Sequence, residues 1–340
     1  MVHSAGVESG LVHKRPREDG QLGIELDYLP ALRTVSFRCT LKLAYLELMK
    51  KCLACSTLES IIFTNTVRWC GGIPDPRVDS PYPPNITITH LSYAPSVWRE
   101  VSCDLERRNA LAELALESHC LALITLGISK TAEVLSIPLE SAPMARMSEL
   151  SWPRLRELSL CGRYALLSQS TSISRLLART PSLRKLSIQA AQPYSLGLSR
   201  APILGRQATP TIDLPDLQTL VLAYPNPDDA IFSISANLTR LSLRDWPRYY
   251  FYQDVMGIVS RWAVPLLTAS ECLCILKRMN LHFLENLELA YRADQSDNIL
   301  LRYIASSFPK LTRLELHRYR YSPDDEVPYV RPPDISRSHA

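Results

Sequence analysis

Ten segments of this chain read apolar-x-x-apolar-x-apolar, and no other feature narrows its fold as much. They are Leu32-Val35-Phe37, Leu58-Ile61-Phe63, Ile88-Leu91-Tyr93, Ala132-Leu135-Ile137, Leu155-Leu158-Leu160, Leu183-Leu186-Ile188, Leu217-Leu220-Leu222, Leu238-Leu241-Leu243, Leu284-Leu287-Leu289 and Leu311-Leu314-Leu316. A chain that is 46% apolar yields such triplets by chance. A proline two residues ahead of five of them (Pro30, Pro153, Pro181, Pro215 and Pro309) is not explained by chance. The run-ins LPAL, WPRL, TPSL, LPDL and FPKL look like one local structure written five times.

Proline cannot continue a helix and fixes φ, so it marks the point where a preceding segment ends and a strand begins. Within the strand, the second and third apolar residues share one face and the residues between them take the other. A single strand cannot bury that face alone, so units must stack. Each buried side chain contributes roughly 1.5–3 kcal/mol before ordering entropy is subtracted. Starts fall 26, 30, 44, 23, 28, 34, 21, 46 and 27 residues apart. Spacing of this order predicts an α/β fold of repeated units, an irregular leucine-rich-repeat solenoid with a curved parallel sheet and helices or loops on its convex side. The competing reading is an ordinary α/β domain with Leu-rich strands, which leaves the recurring proline unexplained.

Three regions follow. Residues 1–20 are polar and read as a disordered tail, 21–322 as the repeat unit, and 323–340 as a polar C-terminal tail. Helical spacing is expected over Leu41–Cys55, Asn109–Leu126 and Pro265–Met279.

Composition excludes several classes of function. The net charge of +4 comes from 38 basic and 34 acidic residues, well mixed, which is no footprint for nucleic acid. No stretch is long and apolar enough to suggest a membrane span, and the N-terminus has no signal-peptide core. The nine cysteines are therefore expected to stay reduced, in cytoplasm or nucleus. With only 11 glycines, the chain carries neither GxGxxG nor a P-loop, and no cofactor is expected.

Catalytic and metal motifs are absent as well. Cys52-x-x-Cys55 with Cys70 resembles half a zinc site, but it lacks a fourth ligand and lies on an apolar helical stripe. Cys272 and Cys274 read the same way. No histidine lies in HExxH and no serine in GxSxG. The sequence thus predicts no catalytic residue, no metal ligand and no enzyme.

Binding is the remaining expectation, on the face between the triplet leucines. One column there is Thr34, Ser60, His90, Val134, Glu157, Lys185, Thr219, Arg240, Asn286 and Arg313. The next is Ser36, Ile62, Ser92, Ser136, Ser159, Ser187, Val221, Ser242, Glu288 and Glu315. Both turn charged and bulky towards the C-terminus. Aromatics follow many strands: Tyr164, Tyr224, Trp246, Tyr291 and Tyr319. Beside arginine they read equally as a protein-binding rim or as packing under the loops. Arg240, Arg244, Trp246, Tyr291, Arg313, His317 and Tyr319 are the candidate partner-binding residues, and Asp245–Tyr252 the candidate contact loop.

The pieces ESAPMARMSELSWPRLRELSL (140–160), NLTRLSLRDWPRYY (237–250), FPKLTRLELHRYR (308–320) and PPNITITHLSYAPSVWRE (83–100) resemble the F-box and leucine-rich-repeat proteins of mushroom-forming fungi. That resemblance implies the substrate receptor of an SCF-type ubiquitin ligase. A protein substrate would lie on the concave face and a Skp adaptor would dock at an F-box. The chain departs from the pattern in having no recognisable F-box. It also lacks the asparagine ladder, with Thr40, Thr66, Arg163, Pro225 and Arg292 at the corresponding places. A free-standing scaffold unrelated to ubiquitin is the first alternative function, and an enzyme with an unrecognised pocket the second.

Overall fold

A computed structural model describes residues 4–6, 26, 29–37, 44–63, 69–70, 86–93, 104–163, 169–193, 200, 203–204, 212–234, 237–246, 248, 262–263 and 265–320. In chain order the elements are β1 (Ser4–Gly6), β2 (Thr34–Phe37), β3 (Ala44–Tyr45), α1 (Leu46–Ala54), β4 (Ser60–Phe63), β5 (Trp69–Cys70), β6 (His90–Tyr93) and α2 (Asp104–Ile128). Then come β7 (Val134–Pro138), α3 (Met144–Glu149), β8 (Glu157–Arg163), α4 (Gln169–Leu177), β9 (Lys185–Pro193), β10 (Thr219–Ala223), a 3-10 turn (Ala230–Ser233) and β11 (Arg240–Arg244). Last are β12 (Trp262–Ala263), β13 (Leu267–Thr268), α5 (Ala269–Arg278), β14 (Asn286–Arg292), α6 (Asp297–Ser307) and β15 (Arg313–Tyr319).

Each apolar triplet supplies one strand. Val35, Ile61, Leu91, Leu135, Leu158, Leu186, Leu220, Leu241, Leu287 and Leu314 stand opposite one another, strand by strand, in unbroken parallel register. The backbone repeats the same rule. The carbonyl of Arg156 accepts the N–H groups of Arg184 and Lys185, that of Arg184 accepts those of Gln218 and Thr219, and so on to Glu285, which accepts those of Thr312 and Arg313. Helices cover the triplet face, and one hydrophobic core runs from Leu26 to Phe308. Leu158, Leu186, Leu220 and Leu241 are wholly inaccessible.

The prolines have a sharper role than ending helices. All five are the second residue of a β-turn closed onto the first triplet position: Leu32 N–H to Leu29 O (2.9 Å), Leu155 to Trp152 (3.4 Å), Leu183 to Thr180 (3.2 Å), Leu217 to Leu214 (3.1 Å) and Leu311 to Phe308 (3.1 Å). Proline's fixed φ suits that position. The recurring proline thus belongs to the turn that feeds each strand, and it fits an ordinary α/β sheet as well as a solenoid.

The expected leucine-rich-repeat solenoid is therefore corrected. The strands join in one continuous thirteen-stranded sheet, essentially parallel and flanked by helices, Rossmann-like in its strand–crossover–strand units and neither curled nor closed. The short β12 alone runs antiparallel, against β9. A horseshoe needs a constant wedge between strand side and crossover side. Here the crossovers range from the 25 residues of α2 to the four of the 3-10 turn, so no constant wedge accumulates. The protein substrate expected on a concave face is corrected with it. From β2 to β14 the order of the described strands follows the chain without the reversal at which doubly wound sheets bind ligands.

The helix expected over Leu41–Cys55 is Leu46–Ala54, and that over Asn109–Leu126 extends to Asp104–Ile128. The one expected from Pro265 starts instead at Ala269, because Thr268 caps it and exchanges hydrogen bonds with Glu271 in a capping box. In the expected N-terminal tail, Ser4–Gly6 pairs with β2, and the other residues of 1–20 lie outside the described residues, as does 321–340. No helix among the described residues is long and apolar enough to cross a membrane.

Two measurements check this packing. Leu158→Ala should cost about 2–5 kcal/mol in denaturant unfolding, whereas Leu314→Ala, at a site 45% exposed, should stay within about 0.5 kcal/mol. Burial and then the neighbouring Cys55 push the Cys52 thiol up to about 12, and burial followed by Glu117 does the same to Cys120. At pH 8 the exposed Cys274 should alkylate in the native protein, while Cys52 and Cys120 react only after unfolding.

Candidate metal centre

The face of the sheet opposite the helices carries the small column of the sequence, and its character changes at the C-terminal strands. Ser187, Val221, Ser242, Glu288 and Glu315 occupy matched positions on β9, β10, β11, β14 and β15. Serine gives way to two glutamates on adjacent strands. His317, two residues beyond Glu315 on the same strand, shares its face. Ligand atoms of Glu288, Glu315 and His317 all lie within 4.8 Å of one another.

Several groups hold this arrangement. Ser242 Oγ donates to Glu288 Oε2 at 2.6 Å, and Arg248 donates to Glu288 Oε1 while its other nitrogen reaches Asp245 Oδ1 at 3.2 Å. Arg244 Nε stands 4.0 Å from Glu288 Oε1. Across the gap, His317 Nε2 meets Glu315 Oε1 at 2.8 Å, and Arg313 approaches Glu315 Oε2 at 3.4 Å. Beneath the site, Asp297 at the start of α6 accepts from Tyr291 on β14 (2.9 Å) and from Arg318 Nε on β15 (3.1 Å). That buried carboxylate fixes β14 and β15 to the helix behind them, and with them the spacing of the three ligands.

Electrostatics keep both glutamates ionised. Burial acts to push the Glu288 carboxyl up. Hydrogen bonds from Ser242 and Arg248 and the charges of Arg244 and Arg248 outweigh it and hold the group below the ordinary carboxylate value. Glu315 is held low chiefly by its hydrogen bond to His317, against some opposition from burial and from the charge of Glu288.

The residues expected to bind a partner are dispersed. Arg244, Arg313 and His317 do come together at this cluster. Arg240 is exposed at the start of β11, away from the contacts just described. Trp246 and Tyr319 are half-buried after β11 and at the end of β15. Tyr291 is wholly buried with its hydroxyl on Asp297. Of the other aromatics, Tyr224 is half-buried under the Arg200 guanidinium, 4.0 Å from the ring centre, and Tyr164 lies outside the described residues. Of the candidate loop, Asp245, Trp246 and Arg248 are described, while Pro247 and 249–252 are not. Cys52 and Cys55 are buried in the core.

Sequence reasoning set Glu288 and Glu315 in the binding-face column and Arg248 in the candidate loop, but named none of the three as a site residue. The signal was present in the column itself, where serine and valine end and two carboxylates begin.

No protein-family model matches this chain, and no curated protein matches it. The resemblance to F-box and leucine-rich-repeat proteins therefore has no support. The ubiquitin-ligase receptor role, the Skp adaptor and the protein-binding repeat module inferred from it are corrected. The expectation of no metal ligand and no enzyme is corrected too, since Glu288, Glu315 and His317 stand close enough together to hold a metal ion.

Because both carboxyls are held low in the folded state, their ionisation stabilises the fold. That contribution is complete above the unfolded glutamate value of about 4.3 and is lost as pH falls through the folded values. Urea midpoints measured from pH 7 to pH 3 should drop in the acid limb, and Glu288→Gln should flatten that drop. An unchanged acid limb in the variant would place the acid-sensitive groups elsewhere.

Proposed function

We propose that this chain is a divalent-cation-binding α/β protein whose centre is Glu288, Glu315 and His317, and that the centre takes an anionic ligand. The observation that carries this reading is the convergence of two ionised carboxylates and an imidazole within 4.8 Å, with Glu288 buried and Glu315 and His317 half-buried. Two oxygen ligands and one nitrogen ligand suit a borderline first-row ion of the zinc class, and three protein ligands leave a coordination position open. Magnesium fits less well, since it favours an all-oxygen octahedron.

The arginines supply the second half of the reading. Arg248 now neutralises Glu288 Oε1. With a cation there, Arg248, still held by Asp245, would with Arg244 and Arg313 form a forked receptor for phosphate or carboxylate. Glu288, Glu315 and His317 would hold the ion, which would supply Lewis-acid chemistry to an ester oxygen or a water. Hydrolysis of an anionic ester is the reaction for which these residues are suited. The free thiols of Cys52, Cys55, Cys120, Cys272 and Cys274 favour a reducing compartment, cytoplasm or nucleus, as its location.

Titration calorimetry with zinc and manganese tests the reading. The wild type should show one saturable site, and His317→Ala and Glu315→Gln should each weaken it about tenfold or more. Arg248→Ala should retain the cation but lose inorganic phosphate binding to the loaded protein. Heat equal in the wild type and both ligand variants would remove the centre from consideration.

A further inference from the structure

The last strand of the sheet ends in an edge. Among the described residues β15 pairs with β14 alone, and no described strand lies beyond it. Its inward backbone groups are those of the odd-numbered residues: Arg313 N–H reaches Glu285 O at 2.9 Å, and Ala293 N–H reaches Tyr319 O at 2.8 Å. Alternation along a strand therefore points the N–H and C=O groups of Leu314, Leu316 and Arg318 outward. An edge of seven residues without proline is long for a strand left open, since edges are ordinarily short, interrupted or covered. The side chains add to the exposure. Leu314 is 45% exposed, although its counterparts in the same row from Ile61 to Leu287 are buried.

We propose that β15 pairs with β15 of a second copy of this chain, antiparallel and centred on Leu316, giving a two-fold dimer with one continuous sheet. The sequence of the strand is complementary to itself in that register. Leu316 meets Leu316, and Leu314 meets Arg318, as hydrogen-bonded pairs that use the outward backbone groups. Glu315 then falls opposite His317 of the second copy, and Arg313 opposite Tyr319 of the second copy, at the non-hydrogen-bonded positions where side chains approach most closely. Carboxylate meets imidazole and guanidinium meets aromatic ring, each twice by symmetry. A shift of two residues either way, the smallest that keeps the faces matched, sets Glu315 against Glu315 or His317 against His317, pairing like with like. On the other face Leu314 and Leu316 of the two copies close over apolar surface that a single copy leaves uncovered. The two-fold axis stands perpendicular to the sheet, so both helix layers lie on one side and the two Glu/Glu/His clusters lie side by side on the other. The dimer does not require the cation. That His317 of the second copy could add a ligand to each centre is a consequence resting on the function proposed above.

Sedimentation of the full chain in EDTA tests the edge by itself. The expected result at micromolar concentrations is a mass about twice 38.4 kDa; a monomer up to about 100 μM overturns the proposal. Leu314→Pro removes one outward donor at a residue whose amide is not bonded to β14. It should weaken the dimer at least tenfold while melting within a few degrees of the wild type; an unchanged dimer places the interface elsewhere. Leu316→Cys provides a second check, because facing residues of a hydrogen-bonded pair are about 5.5 Å apart at Cα, within reach of a disulfide. Mild oxidation should give an interchain bond absent from the wild type, and failure to crosslink a dimeric variant overturns the register. Added zinc then reports on the cation centre independently, since loss of zinc binding leaves the EDTA dimer intact.

Discussion

The structure depends on the in-register stacking of one side-chain row, from Val35 on β2 to Leu314 on β15. Each strand supplies two apolar residues to the helix-covered face and receives backbone hydrogen bonds from its neighbour at the same relative position. A slip of one residue in any strand would turn its leucines towards solvent and its serines or glutamates into the core. The proline turns reinforce this register by delivering five of the strands at the same phase. Helices of very different length can therefore be tolerated between strands, because register is set at the strand's start.

The same constraint creates the candidate site. Matched register forces residues at one repeat position into a column, and where that column is serine it carries no charge. At β14 and β15 it places two carboxylates on neighbouring strands, an arrangement that costs energy unless the charges are compensated. Arg248, Arg244, Ser242, Arg313 and His317 supply the compensation. The tension is concentrated at the end of the sheet, where Asp297 ties both strands to α6 and the core row finally comes to the surface. Ligand chemistry and an open edge thus share one strand, and Glu315 and His317 belong to both.

Much of the fold was legible in the sequence. The triplets gave the strands and their buried faces, and the apolar spacing of 41–55, 109–126 and 265–279 gave three helices. Pro265 misled by a few residues, because the capping pair Thr268 and Glu271 governs where that helix begins. Curvature was not legible, since it arises from the difference in width between the two sides of the stack summed over every unit. Half of the site could be seen as charge in the C-terminal columns. Tyr291 stood beside those arginines in sequence yet faces Asp297 in the interior.

The sequence by itself determined the ten triplet strands and which face of each is buried, though not the short β1, β3, β5, β12 and β13. These follow from local rules: a period of two and the fixed φ of proline. Only the tertiary structure decided that Glu288 meets Glu315 and His317, that Arg248 reaches back to Glu288, and that β15 lies at the edge among the described strands. Those outcomes depend on which strands become neighbours and on what covers each face. Neighbour and cover are set by contacts between segments far apart in the chain, which no local pattern encodes.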